Sequence, residues 1–396
     1  MLRVLRSVYF YIKKFKGKHS LSQSTVTSRF RVLRRNIPIR LIEVLSTTER
    51  LPNALRSRFN KMSVQRQVVE ALMKPEAYDE EPGKIELTQT HISFVFLTRN
   101  FAYKVKKAVD LGFLDFTTLE KRHFFCEKEL ELNRRLCDDM YLEVVPINRS
   151  NIIKMKGDGE PIEYAVKMKR MPQERMMSNL LEENKVDNKL IDEIAKTIAK
   201  FHSNAETNKR ISEFGSLAIV ETNWKENFDQ TEEFIGKTIS PEDFALIHER
   251  IDDFMRKNVS LFQKRMVEGR VRDCHGDIHS GNIFVADRIY IFDAIEFNER
   301  FRYSDVASDI AFLSMDLDFK ERADLSDLFV DRYVEYSGDR ELTELLSFYK
   351  CYRAYVRGKV VSFKLKDPSI NREEKKTAIK EAEAYFKLAT TYLKTL

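Results

Sequence analysis

Hydrophobic positions change their period along the chain. Val64, Val68, Val69 and Leu72 recur at helical spacing, and the pattern stops near Pro75. This predicts a short amphipathic helix. Residues 85–109 read as strands, with Phe94–Leu97 and Phe101–Val105 flanking Thr98-Arg99-Asn100 as a hairpin. Thr117-x-x-Glu120 is a capping-box pattern opening a helix to about Leu136. Val144 to Lys156 and Ile162 to Met171 form a second strand pair around Gly157-Asp158-Gly159. Later segments follow helical periodicity, apart from Asn282 to Phe297. Strands first and helices afterwards predict an α+β protein of two lobes. The expected division is a head at 1–61, a smaller lobe at 62–171 and a helical lobe at 172–396.

Composition narrows this picture. The 396 residues include 43% hydrophobic and 33% charged positions, with only 12 Gly and 9 Pro. Such a chain can bury a sizeable core, and collagen-like or low-complexity classes are excluded. No apolar run approaches the ~18–20 residues of a membrane span. The net charge of +6 is unevenly spread. Residues 1–61 hold 15 Lys and Arg against Glu43 and Glu49, a surplus of +13, so the rest carries −7. The head reads equally as an organelle transit peptide, a basic arm for anionic surfaces, or sequence upstream of a start at Met62. A cytoplasmic location is expected, with organelle import as the alternative in a eukaryote. Cys126, Cys137, Cys274 and Cys351 form no CxxC pair, which fits buried thiols in a reducing compartment.

The densest chemistry lies in Cys274-His275-Gly276-Asp277-Ile278-His279-Ser280-Gly281-Asn282. An apolar strand follows, then a turn at Asp287-Arg288 and a second strand ending in Asp293. This order brings Asp277, Asn282 and Asp293 to one place. Phosphoryl transfer needs such a set: a carboxylate to position a hydroxyl and take its proton, and hard oxygen ligands for Mg²⁺. A lone polar triplet is more often a solvated turn; the complete ordered set favours chemistry. Two imitations fail. Asp277-Ile278-His279 opens like a metallophosphoesterase motif, but no histidine follows His279. Gly236-Lys237-Thr238 mimics a P-loop end, but Thr231 stands where glycine is required.

His-Gly-Asp-x-x-x-x-Asn, an apolar strand and Asp293 resemble the aminoglycoside phosphotransferase-like branch of the protein-kinase fold. The run Ile291 to Asn298 and Asp305 to Ala311 resembles a narrower bacterial group, some of whose members are fused to a P-loop ATPase domain. The likeness extends from about Gln65 to about Leu388. It implies a bilobal kinase-like fold and an ATP- and Mg²⁺-dependent transfer to a hydroxyl of a small molecule, with no role for DNA. The alternative is a nucleotide-binding pseudokinase or regulatory module. Asp277 is then the catalytic acid–base group, and Asn282 and Asp293 are the metal ligands.

The resemblance also demands a strand lysine and a helix acid. Ala102-Tyr103-Lys104 supplies Lys104, with Lys106 on the same face as second choice. Phe125, Glu129, Leu132 and Leu136 set Glu129 in an apolar stripe, where an unpaired carboxylate is costly, so Glu129 is the expected partner and Glu127 the second choice. No glycine loop precedes the strand; Gln89-Thr90-His91-Ile92-Ser93 stands there, offering Thr90 and Ser93 to the phosphates. Lys169 to Met171 occupy the hinge position beside adenine. Asp305, Asp309 and His275 are expected to brace the loop, and Glu296 to pack between the lobes. His279 either lines the acceptor site or caps the loop. Arg353, Arg357 and Lys359 either face an anionic acceptor or are solvated.

Overall fold

The computed structural model describes residues 64–367 and 370–396, and Gln65–Leu396 forms one compact unit. The readings of residues 1–61 fall outside the described residues. Helix covers 64–72, and a single helical turn at Pro75–Ala77 closes it off. The first lobe is an antiparallel sheet of β1 (Glu86–Gln89), β2 (Ser93–Leu97), β3 (Phe101–Lys106), β4 (Tyr141–Arg149), β5 (Ile153–Met155) and β6 (Glu160–Lys169). Their order in space is β1-β2-β3-β6-β4-β5. The β2–β3 hairpin turns where expected. Thr98 N–H donates to Phe101 O at 2.8 Å, and Thr98 Oγ1 accepts from Phe101 N–H at 3.2 Å.

Strand alternation gives this sheet two buried faces. Tyr103 and Val105 join Phe96, Val145, Ile147 and Ala165, and pack against Val68 and Leu72. Ala102, Val166 and Met168 face the other way, with Cys126 and Leu130 of the helix Leu119–Cys137. Lys104 and Lys106 share that second face by the same period of two. A lysine there can approach the helix, and both do.

Three local expectations are corrected. The cap of the Leu119–Cys137 helix is Thr118, whose Oγ1 accepts from Lys121 N–H at 3.2 Å. The Thr117 hydroxyl donates to Asp115 Oδ1 at 2.6 Å instead, so no capping box forms. The segment Val144–Lys156 is two strands, β4 and β5, reversed at Ser150, whose N–H donates to Ile152 O at 3.1 Å. Two further short strands, β7 (Val271–Asp273) and β10 (Tyr303–Asp305), pair outside the expected strand region. Three-residue strands held by distant partners carry too little alternation to be seen locally.

The second lobe is helical around β8 (Ile283–Val285) and β9 (Ile289–Ile291), which form the expected hairpin. The helix Val306–Phe319 buries every residue from Val306 to Leu317. It is central and apolar on all sides, so its Asp309, Ser314 and Asp316 need internal partners. The helices Leu342–Phe363 and Arg372–Tyr392 approach closely at Gly358, where an added Cβ would meet the Phe386 ring at 3.0 Å. Cys126, Cys137, Cys274 and Cys351 are all buried and free. Among the described residues no helix is long and apolar enough to cross a membrane.

Arg265 secures the join between the helical lobe and β10. Its guanidinium holds Asp305 through bonds of 2.8 and 2.6 Å and Asp339 through one of 2.6 Å, all buried. Asp305 in turn accepts from Ala307 N–H at 2.8 Å and caps the central helix. Removing the cation leaves the buried Asp305 without a cation and Asp339 with only Arg270, 3.8 Å away. Arg265→Leu is expected to cost about 3–5 kcal/mol in chemical denaturation.

Candidate active site

Lys104 on β3, Glu129 on the Leu119–Cys137 helix and Asp293 after β9 meet between the lobes. Lys104 Nζ lies 2.5 Å from Asp293 Oδ1. It is also 2.8 Å from Glu129 Oε1, an ion pair outside hydrogen-bond alignment. The pairing expected of Lys104 and Glu129 is present. Glu127 instead faces solvent beside His123.

The second choice, Lys106, is also engaged. Its Nζ donates to Glu129 Oε2 at 2.6 Å and to Glu296 Oε1. Glu129 thus divides its two oxygens between two lysines. Burial pushes the Glu129 carboxyl up, but the two ammonium groups outweigh it and hold the group near 2. Glu296 shares only Lys106 at close range, and there burial prevails and raises the carboxyl. Burial lowers the lysines too, but the facing carboxylates raise both. Lys106 is buried and engaged by two carboxylates, and Glu296 packs as one of them.

Asp277 and Asn282 form the other half of the site. Asn282 Nδ2 donates to Asp277 O at 3.0 Å and to Asp277 Oδ2 at 2.9 Å. A carboxylate can only accept, which fixes the amide orientation; among the described residues no protein donor reaches Asn282 Oδ1. His279 Nδ1 accepts from Gly281 N–H at 3.1 Å, and its Nε2 is 3.7 Å from Asp277 Oδ2. His279 therefore caps the loop and borders Asp277. Burial raises the Asp277 carboxyl, but His279, Arg357 and His275 hold it at about 2. It is ionised at neutral pH.

The loop carrying Asp277 hangs on the central helix. Asp309 accepts from His275 N–H and Gly276 N–H, each at 2.8 Å. Asp316 accepts from Ser280 N–H at 2.8 Å. Gly276 has φ +88, and an added Cβ would lie 3.0 Å from Phe301 O. Arg353 is neither solvated nor aimed at an acceptor: it is buried, and its Nη1 donates to Gly276 O at 3.0 Å. Asp293 adopts φ +65, a costly conformation for a residue other than glycine. Its neighbours are pinned by Phe292 N–H to Asn282 O at 3.0 Å and Ala294 N–H to Asn133 Oδ1 at 2.9 Å. Asp316, Asn133 and the bracing role of Arg353 escape sequence reasoning. Asn133 was detectable only as a second polar residue, one turn after Glu129, within the same buried stripe.

The phosphate turn and hinge are less simple. Thr90 Oγ1 accepts from Ser93 N–H at 3.0 Å and Ile92 N–H at 3.3 Å, so the turn consumes these donors itself. The Ser93 hydroxyl is buried and, among the described residues, without a hydrogen-bond partner; Ser93 is the register partner of Lys106 and shares its sheet face. Lys169 is exposed at the end of β6. Met171 is buried with Ala102, Met168 and Phe284, beside Val95, Leu97 and Phe292. This apolar cluster spans both lobes at the hinge.

The residues present fit both a divalent metal and a nucleotide. Asn282 Oδ1 and the half-exposed Asp293 carboxylate are hard oxygens suited to Mg²⁺. The cluster around Met171 suits a flat apolar ring.

His275 is buried with Nε2 unpartnered, and burial lowers its imidazole to about 4 from 6.5. The unfolded chain then binds the proton first as pH falls. This contribution to stability is complete above pH 6.5 and is lost toward pH 4. About 3 kcal/mol is expected to disappear across that window, and His275→Gln should flatten it in pH-dependent denaturation.

A family model described as the phosphotransferase enzyme family matches residues 128–345. Uncharacterized proteins of Mycobacterium tuberculosis and Mycobacterium bovis are 34% identical over 277 residues, covering 70% of this chain and 54% of each relative. The chain thus spans about half the length of the curated relatives it matches. Among solved structures, the GDP and kanamycin complex of APH(2")-IIia has a TM-score of 0.47 at 11% identity, over 80% of this chain and 97% of that one. A choline/ethanolamine kinase family protein from Mesorhizobium loti has a TM-score of 0.46 at 12% identity, over 83% and 100%. A two-lobed fold, an ordered Asp277–Asn282–Asp293 set and a family match across the loop that carries it agree: the chain belongs to the phosphotransferase enzyme family.

Proposed function

We propose that the protein transfers the γ-phosphate of ATP, with Mg²⁺, to a hydroxyl of a small molecule in the cytoplasm. The observation that carries this is the pairing pattern: Lys104 on Glu129 and Asp293, and Asn282 on Asp277 with Oδ1 left over. Each pair is what phosphoryl transfer needs, and four separate chain segments supply them.

Adenine would lie against Met171, Ala102 and Phe284. Lys104 would exchange Asp293 for the α- and β-phosphates while Glu129 keeps it oriented. The exchange frees Asp293 to bind metal together with Asn282 Oδ1. Bound there, Mg²⁺ supplies charge neutralisation for the phosphates. Among the described residues Asp277 Oδ1 accepts from no protein donor, and it would accept the hydroxyl hydrogen of the acceptor. The acceptor oxygen bonds to the γ-phosphorus as the bond to the β,γ-bridging oxygen breaks. The proton passes to Asp277 and ADP leaves. A carboxyl held near 2 is a weak base, so most of the rate comes from positioning and charge neutralisation.

The self-satisfied Thr90 turn supports a second reading, a module that binds nucleotide without transferring phosphate. Labelled ATP incubated with a metabolite extract distinguishes the two, since the module binds Mg·ATP yet labels nothing. With an acceptor in hand, Asp277→Asn is expected to lower transfer about 100-fold or more while nucleotide binding persists. Lys104→Met should weaken nucleotide binding in a folded protein. Full transfer by Asp277→Asn would sink the assignment.

A further inference from the structure

The lobes touch at both ends of β3. At one end Phe101 pairs with Lys169, beside the apolar hinge cluster. Lys106 stands at the other end, about 17 Å along an extended strand. From there the chain enters a tight turn before the Leu119–Cys137 helix. Leu111 N–H donates to Leu114 O at 3.1 Å, Gly112 N–H to Asp110 Oδ1 at 2.9 Å and Phe116 N–H to Val109 O at 2.9 Å. These bonds fix the shape of the turn, and Gly112 at its tip has φ +87, which favours glycine. The turn presents two rings to the segment that follows Asp293. Phe116, fully buried, meets the Phe297 ring at 6.5 Å. Phe113, 38% exposed, meets Phe297 at 6.0 Å and Phe301 at 6.3 Å. Asn298 joins the two pieces of chain. Its Oδ1 accepts from Arg300 N–H at 3.0 Å and caps the helical turn Glu299–Arg302, while its Nδ2 donates to Phe113 O at 3.1 Å.

The same segment lies against the catalytic loop. Phe301 O is 3.0 Å from where a Cβ would stand at Gly276, the residue before Asp277. Arg300 holds Glu226 of the helix Leu217–Thr231 at 2.5 Å, and Arg302 holds Asp273 at 2.6 Å. The segment is thus firmly tied to the helical lobe, whereas its ties to the first lobe are unequal. Phe116 is an anchor sealed from water. The Phe113 ring and the Asn298 bond are exposed enough that parting them uncovers little new apolar surface, and water replaces the lost hydrogen bond. We propose that Phe113 and Asn298 form a latch across the lobe boundary, which closes the cleft on a bound nucleotide at the end of β3 away from the hinge and parts to release it. Both act as positioning residues, through the segment between Asp293 and Phe301. The contact stands without the phosphotransferase reading proposed above; its effect on nucleotide release rests on that reading.

Two measurements on the full chain test it. Hydrogen–deuterium exchange without nucleotide reads the contact: Phe113→Ala is expected to speed exchange at residues 297–302, in the other lobe. Release of a fluorescent ADP analogue bound with Mg²⁺, chased with excess ADP, reads its effect. Phe113→Ala and Asn298→Asp are expected to speed release about three- to tenfold at unchanged unfolding midpoints. Aspartate keeps the cap on Glu299–Arg302 but cannot donate to Phe113 O, so it removes the latch bond alone. Asn298→Asp carries both measurements if Phe113→Ala does not fold. Leu111→Ala, in the same turn and 45% exposed, is expected to leave release unchanged. Absence of analogue binding overturns the phosphotransferase reading, and exchange at 297–302 then decides the latch by itself. With binding intact, the latch is overturned if the folded variants release at the original rate, or if Leu111→Ala speeds release as much as they do. Unchanged exchange at 297–302 overturns it as well.

Discussion

Glu129 is a carboxylate with no access to water and two lysines facing it, one on each oxygen. Isolated, such a charge would cost many kcal/mol to bury; paired twice, it becomes the pin on which the lobes turn. Lys104 and Lys106 project from one face of β3 because strand side chains alternate. Glu129 rises from the helix packed beneath that face. The same lysines reach past it, Lys104 to Asp293 and Lys106 to Glu296, three residues apart on the chain leaving β9. One buried acid therefore fixes Lys104, Lys106 and, through them, Asp293, Glu296 and the relative placement of the elements that carry them.

The opposite wall is built by a different device. The helix Val306–Phe319 is buried all round, so its carboxylates must spend their acceptor capacity inside the protein. Asp309 and Asp316 spend it on backbone N–H groups of the loop between His275 and Ser280. Arg353 adds a donor to Gly276 O. A backbone held at this many points is fixed in advance, and preorganisation of that kind is a main contribution a protein can make to phosphoryl transfer. The strained φ of Asp293 is tolerated for the same reason, since hydrogen bonds hold the residue on each side.

These two constructions differ in what they leave available. The Lys106–Glu296 pair is buried and serves as scaffold. Lys104, Asp293 and Asn282 Oδ1 are groups whose present partners can be exchanged, or that lack a protein partner. The distinction between scaffold and working residues lies in leftover hydrogen-bonding and charge capacity, and residue type alone does not reveal it. Lys104 and Lys106 are identical in chemistry and adjacent on one strand face, yet the Lys104 side chain is 12% exposed and that of Lys106 1%.

The sequence by itself determined the two-lobed α+β order, the hairpins at Thr98 and Asp287, the Asp277–Asn282–Asp293 set and the choice of Glu129 over Glu127. Each is written in local spacing: a period of two or 3.6, or a polar residue set in an apolar stripe. Tertiary structure alone decided that Asp309 and Asp316 hold the loop backbone, that Arg353 is buried beneath Gly276, that Asn133 secures Ala294, and that β7 pairs with β10. Those outcomes depend on partners 30 to 160 positions away, as in Ser280 with Asp316 and Ala294 with Asn133. Hydrogen bonds and ion pairs between distant residues leave no periodic trace in the chain. Only the packed molecule decides which polar groups are consumed and which remain free for chemistry.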